Sequence, residues 1–160
     1  MSKAFTKEDS APDEIVVARR APLPQGVPNY VTPRGLELLR EERQALESAR
    51  AGLRGAADGT ARLAALGARI VELEQRIASA QCVEPSPSSV VRFGSSVTLL
   101  DESERQQRYQ IVGVDEADPG QGKVAFLSPL ARALLGARVG DNVRIDKPGG
   151  SEDLEVLAIE

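Results

Sequence analysis

The stretch LAALGARIVELEQRIASA, residues 63–80, places Leu63, Leu66, Ile70, Leu73, Ile77 and Ala80 at steps of 3, 4, 3, 4 and 3 residues. That spacing keeps one apolar stripe on a single face of an α-helix for five turns, with Arg69, Glu72, Glu74 and Gln75 left for solvent. A stripe this narrow is a seam that needs a second helix. The partner lies just upstream, where Leu39, Leu46 and Leu53 recur every seven residues and Leu36 precedes Leu39 by three.

The first helix has a start and a stop. Thr32-Pro33 supplies an N-cap hydroxyl and a proline at the first helical position, where a missing N–H costs nothing. Gly52, Gly55, Asp58 and Gly59 then break the helical preference, and Thr60 or Asp58 can cap the second helix. Two helices of roughly twenty residues at 1.5 Å per residue make an antiparallel hairpin about 30 Å long. Gly67 and the seam arginines Arg43 and Arg50 weaken it, and a two-helix rod buries little, so its base is expected to lean on another unit.

Outward from the hairpin the composition changes. Residues 1–31 carry Pro12, Pro22, Pro24 and Pro28 among mixed charges and read as a flexible arm. Residues 32–82 form the hairpin, and the proline and serine run of 83–89 is a linker. Residues 90–160 turn to valine, glycine and aspartate with period-2 alternation, which predicts strands near 90–100, 107–114, 123–127, 141–146 and 153–159. Turns fall at Asp118-Pro119-Gly120 and Pro148-Gly149-Gly150. Ser128-Pro129 opens, and Gly136 closes, one short helix. The fold class is therefore α+β, a helical hairpin followed by a small antiparallel β domain. All of the net charge of −4 belongs to residues 91–160, with 8 basic against 12 acidic side chains.

Composition excludes several chemistries. With no histidine and the single Cys82, there is no Cys/His zinc site, no histidine-based triad and no internal disulfide, and Cys82 near a helix end reads as an inert thiol. A pI near 5.1 disfavours a protein that grips nucleic-acid backbone with its own surface. No long apolar run or signal-like N-terminus appears, so a cytoplasmic location without membrane contact is expected. Asp115-Glu116-Ala117-Asp118 spells a helicase tetrapeptide. The only phosphate-loop candidate, Gly120-Gln121-Gly122-Lys123, lacks the first glycine of that motif and is followed by Val124, so the acidic run reads as a hairpin turn.

Four stretches together resemble the GreA/GreB family of transcription elongation factors. Thr32-Pro33-Arg34-Gly35-Leu36-Glu37-Leu38-Leu39 resembles the opening of that family's coiled coil, and Arg92-Phe93-Gly94-Ser95-Ser96-Val97-Thr98-Leu99 the first strand of its C-terminal domain. Tyr109-Gln110-Ile111-Val112-Gly113-Val114-Asp115-Glu116-Ala117-Asp118 and Ser128-Pro129-Leu130-Ala131-Arg132-Ala133-Leu134-Leu135-Gly136 match two further family runs, in order. The resemblance covers about residues 29–160. It implies an FKBP-like C-terminal domain without isomerase activity, which binds RNA polymerase at the rim of its secondary channel while the coiled coil enters the channel.

By the same resemblance the rim contact falls on Ser128 and Pro129 with Arg132 beside them, and Leu127 stands where relatives often have Asp or Asn. Ser128 and Pro129 also read as an ordinary helix cap. The tip departs from the family's neighbouring carboxylates, which complete a second Mg²⁺ in the polymerase active site. Here Asp58 is the one acid between Glu47 and Glu72, flanked by Arg54 and Arg62. The reading is thus a monomeric, Gre-like or Rnk-like regulator that is not itself an enzyme, has no cofactor of its own, meets nucleic acid only indirectly in the elongation complex and stimulates cleavage weakly or not at all. One alternative is a cleavage-stimulating factor in which Asp58 shares the polymerase Mg²⁺. A third is a prolyl isomerase or chaperone module, which the scarcity of aromatic residues to line a pocket disfavours.

Overall fold

A computed structural model describes residues 20–56 and 59–160. The hairpin forms as its seam demands. Helix α1 spans Pro33–Gly52, and Thr32 Oγ1 caps it by accepting the Gly35 N–H at 2.9 Å. Helix α2 spans Thr60–Ala78. Its cap differs from expectation: Gly59 holds the N-cap position without a side-chain hydrogen bond, and Thr60 is already the first helical residue. The backbone closes this end instead, with the Gly59 N–H bonded to Ala56 O and the Leu63 N–H to Gly59 O.

Leu39, Leu46, Ile70 and Leu73 are the buried seam, with Leu36, Leu66 and Ile77 packed beside them. Leu53 and Leu63, at the distal end, are only half-buried. Small residues around them, Gly52, Ala56 and Gly67, bring little side chain to cover them. A Cβ built on Gly67 meets nothing within 4 Å. Gly67→Ala should therefore raise stability by about 0.5–1 kcal/mol by removing backbone freedom from the unfolded chain, read as a higher denaturation midpoint.

Two three-residue strands clamp the base of the hairpin. β1 (Asn29–Val31) enters α1, β2 (Ala80–Cys82) leaves α2, and the two pair in parallel. Asn29, buried, donates its side-chain N–H to Arg76 O at 2.8 Å and to Ser79 Oγ at 3.1 Å, so it satisfies carbonyl capacity at the end of α2. Residues 29–31 thus leave the arm expected for 1–31 and join a sheet, while residues 1–19 of that arm lie outside the described residues. Cys82 is exposed on a strand rather than tucked against a helix end.

The second unit is a five-stranded sheet in the order β5-β4-β3-β7-β6, built from β3 (Ser96–Leu100), β4 (Gln106–Val112), β5 (Lys123–Ala125), β6 (Asn142–Lys147) and β7 (Gly150–Ile159). Three neighbour pairs are antiparallel as expected, but β4 and β5 run parallel, because a 3-10 turn at Pro119–Gln121 carries the chain back before β5 starts. β3 is shorter than the run predicted from residue 90. Asp101 closes the β3–β4 connection by accepting the N–H groups of Ser103 and Arg105 at 2.8 and 2.9 Å, and the Arg105 amide is the main reason its carboxyl sits below the usual range. Helix α3 (Pro129–Leu134) covers one face, and Ala131 and Leu134 join Val97, Leu99, Ile111 and Val156 in a core separate from that of the hairpin.

Candidate functional site

Three places bear on function: the loop that opens α3, the joint between hairpin and sheet, and the hairpin tip. At the first, Ser128 Oγ accepts the Ala131 N–H at 3.2 Å and Pro129 occupies the first helical position, so the cap reading of these residues holds geometrically. Leu127 and Ser128 are half-buried, whereas Pro129 and Arg132 are exposed on the same short turn. Arg132 makes no ion pair among the described residues. Close by in sequence, Leu135 and Val139 are 40% and 59% exposed, large apolar side chains left open to solvent. Both follow α3 at the point where Gly136, in the left-handed region at φ 86°, turns the chain away.

At the joint, the acidic run 115–118 turns out to be more than a surface turn. Asp115, with 8% of its side chain exposed, forms an ion pair with Arg76, whose Nε in the last turns of α2 lies 3.0 Å from Oδ2, and accepts a hydrogen bond on Oδ1 from Arg20 Nη1 at 2.8 Å. Glu116, 7% exposed, accepts the hydroxyl of Thr32 and faces Lys123 Nζ at 3.5 Å. Thr32 therefore caps α1 with one side of its oxygen and ties α1 to the sheet unit with its proton. Only Asp118 behaves as the turn residue expected, accepting the Gly120 N–H at 3.1 Å.

Main chain approaches closely enough here to exclude a side chain at Gly113, whereas at Gly35 an added Cβ would have to displace only the carboxylate end of Glu116. A Cβ on Gly35 would sit 2.6 Å from Glu116 Oε2, and one on Gly113 would sit 2.5 Å from the main-chain oxygen of Tyr30. Gly113→Ala must push β1 off the sheet unit and should cost about 1–3 kcal/mol, visible as a lower unfolding temperature. Tyr30 completes the joint by packing edge-on or tilted against Phe93 and Phe126, with ring centroids 5.6 to 5.7 Å apart. The two phenylalanines are thus engaged with each other and with the hairpin base.

The signal for this joint was present in the sequence as an arginine, Arg76, on the flank of an otherwise apolar stripe. A buried carboxylate needs such a partner, but nothing in the spacing says that Asp115 is the one. At the tip, Asp58 and Ala57 lie outside the described residues. Their neighbours Arg54 and Arg62 are exposed, and the span 48–71 contains Arg50, Arg54, Arg62 and Arg69 against the single Asp58.

Fold and site together define a prong carried on a base: a two-helix rod, pinned at one end by buried ionic and aromatic contacts to a β unit that presents a capped, partly apolar loop. A family profile described as transcription elongation factor, GreA/GreB, C-terminal, matches residues 86–160. The GreA transcription elongation factors of Sinorhizobium medicae and Acidiphilium cryptum are each 46% identical, over 95 and 94 residues respectively. These alignments cover 58% and 57% of this chain and 60% of each relative, so the chain spans less than two thirds of the relatives' length. The crystal structure of GreA factor homolog 1 from Thermus thermophilus matches 82% of this chain and 97% of its own at 29% identity, with a TM-score of 0.42. Residues 86–160 thus carry the C-terminal domain of the GreA/GreB family of transcription elongation factors. No described helix is long and apolar enough to cross a membrane.

Proposed function

We propose that this chain binds RNA polymerase at its secondary channel and regulates elongation by occupying the channel, with little or no stimulation of transcript cleavage. Residues 90–160 would dock, residues 32–82 would probe the channel, and 83–89 would link them. The observation that carries the reading is the pairing of a family-typical β unit with a prong whose distal part, residues 48–71, holds four arginines and one aspartate. One carboxylate is a poor ligand set for a hydrated Mg²⁺, which favours near-ideal octahedral geometry and gives up water reluctantly.

Docking is assigned to Pro129 and Arg132, which are exposed, with Ser128 holding the loop and Leu127 at its edge. The exposed Leu135 and Val139, just after α3, would add apolar area to such a docking surface. The isomerase alternative draws no support from the aromatic residues, since Phe93 and Phe126 are packed against Tyr30 rather than around an opening.

Two measurements on the folded chain test this. Core polymerase should be retained by the tagged protein, and Arg132→Glu should reduce that retention at least tenfold; equal retention would remove the assigned surface. Added to backtracked elongation complexes with Mg²⁺, the protein should release no more 3′ RNA fragment than buffer does. Release that disappears in Asp58→Ala would establish the cleavage-factor alternative instead.

A further inference from the structure

The contacts that pin hairpin to sheet, Thr32 with Glu116, Arg76 with Asp115 and Tyr30 with the two phenylalanines, all sit at the base of the rod. Contacts gathered at one end of a long rod behave as a pivot: they resist separation far better than they resist tilting. One side chain reaches beyond that pivot. Arg20 donates through Nη1 to Asp115 at 2.8 Å and through Nη2 to Glu42, which lies nine residues into α1, about 14 Å along the rod at 1.5 Å per residue. The next residue, Ala21, accepts Arg76 Nη2 at 2.5 Å through its carbonyl, and Pro22 and Leu23 line an open cleft together with Glu72 and Gln75 of α2 and its C-cap Ser79.

Residues 20–23 therefore touch α1, α2 and the 113–116 turn at once. The Arg20 side chain is 20% exposed and that of Asp115 8%, so solvent screens this end of the brace only in part. A guanidinium suits the task, because its planar fork can serve two carboxylates in fixed directions.

We propose that residues 20–23 are a strap and that Arg20 is a positioning residue, bracing the hairpin against the sheet unit and so fixing where the tip lies. The lever is long: a tilt of ten degrees moves the end of a 30 Å rod by about 5 Å, close to a full helical turn. The functional consequence rests on the polymerase-binding reading, but the brace itself is a property of the free protein and is measured without polymerase.

The test uses the full chain with Cys82→Ser, and spin labels on Ala51→Cys at the far end of α1 and Ser151→Cys at the start of β7. Double electron–electron resonance should give one narrow distance distribution with Arg20 present. Arg20→Ala should widen it at least twofold, as should Glu42→Gln, which leaves the base contacts untouched. Circular dichroism of each variant should match that of the parent, which separates loss of bracing from loss of fold. Distributions as narrow in both variants as in the parent would overturn the strap. Failure of the unsubstituted chain to retain polymerase would instead count against the functional reading alone.

Discussion

Asp115→Ala is expected to lower the unfolding free energy by about 3–5 kcal/mol, among the largest effects available from a side chain outside the hydrophobic cores. The reason is not that the ion pair itself is worth so much. Buried pairs often break even against apolar residues of the same size, because desolvating two charges offsets most of their attraction. Removing one partner is different, since Arg76, with 9% of its side chain exposed, would keep its charge and lose the carboxylate that compensates it. Arg20 would lose its second anchor at the same time. Arg76→Leu in the Asp115→Ala background should recover a large part of the loss, because it removes the orphaned charge. Chemical denaturation of the four members of this cycle gives the coupling directly. Simple additivity of the two substitutions would show that Asp115 and Arg76 do not depend on one another.

Leu73→Ala is the second. Leu73 is 2% exposed in the middle of the hairpin seam, against Leu39 on the facing helix, and its truncation should cost about 2–5 kcal/mol. The hairpin core is small, and the sheet core is a separate cluster. The loss should therefore be local. Amides of α1 and α2 should exchange much faster with solvent, while those of β3 and β4 keep their protection. An equal loss of protection in both units would mean that the pivot couples them into one cooperative block, and would raise the weight of the Asp115 and Glu116 contacts accordingly.

The two experiments also separate two ways of losing activity. Damage to the Leu73 seam shortens or melts the probe, whereas damage to Asp115 leaves a formed probe on a loosened mount. Under the proposed function, the first should abolish regulation while binding through residues 127–132 persists. The second should weaken regulation in proportion to how far the tip wanders.

Much of this architecture was legible beforehand, and for identifiable reasons. The 3-4 stepping of Leu63 to Ile77 has only one regular solution, so α2 and its need for a partner were fixed by spacing. Thr32-Pro33 and Ser128-Pro129 marked helix starts because hydroxyl caps and N-terminal prolines are local chemistry, complete within four residues. Alternation located the strands after residue 90, although the first was drawn too long, since residues 90–95 lead into β3 (Ser96–Leu100) rather than belonging to it.

What the chain could not announce by itself was everything that depends on distant partners. β1 and β2 are three residues each, too short for any period to register, and exist because Asn29 to Val31 lie beside Ala80 to Cys82 in space. Thr32 and Glu116 are 84 residues apart, and Arg20 and Asp115 are 95 apart. Neither pairing leaves a mark on local sequence, so the acidic run read as a solvated turn until the hairpin base was set against it. The sequence alone determined two seamed helices, a small sheet and a tip poor in acid. The tertiary structure decided that Asp115 and Glu116 are a buried mount and Arg20 a brace, because a buried charge is tolerated only beside a compensating partner, and those partners come together only once the two units meet.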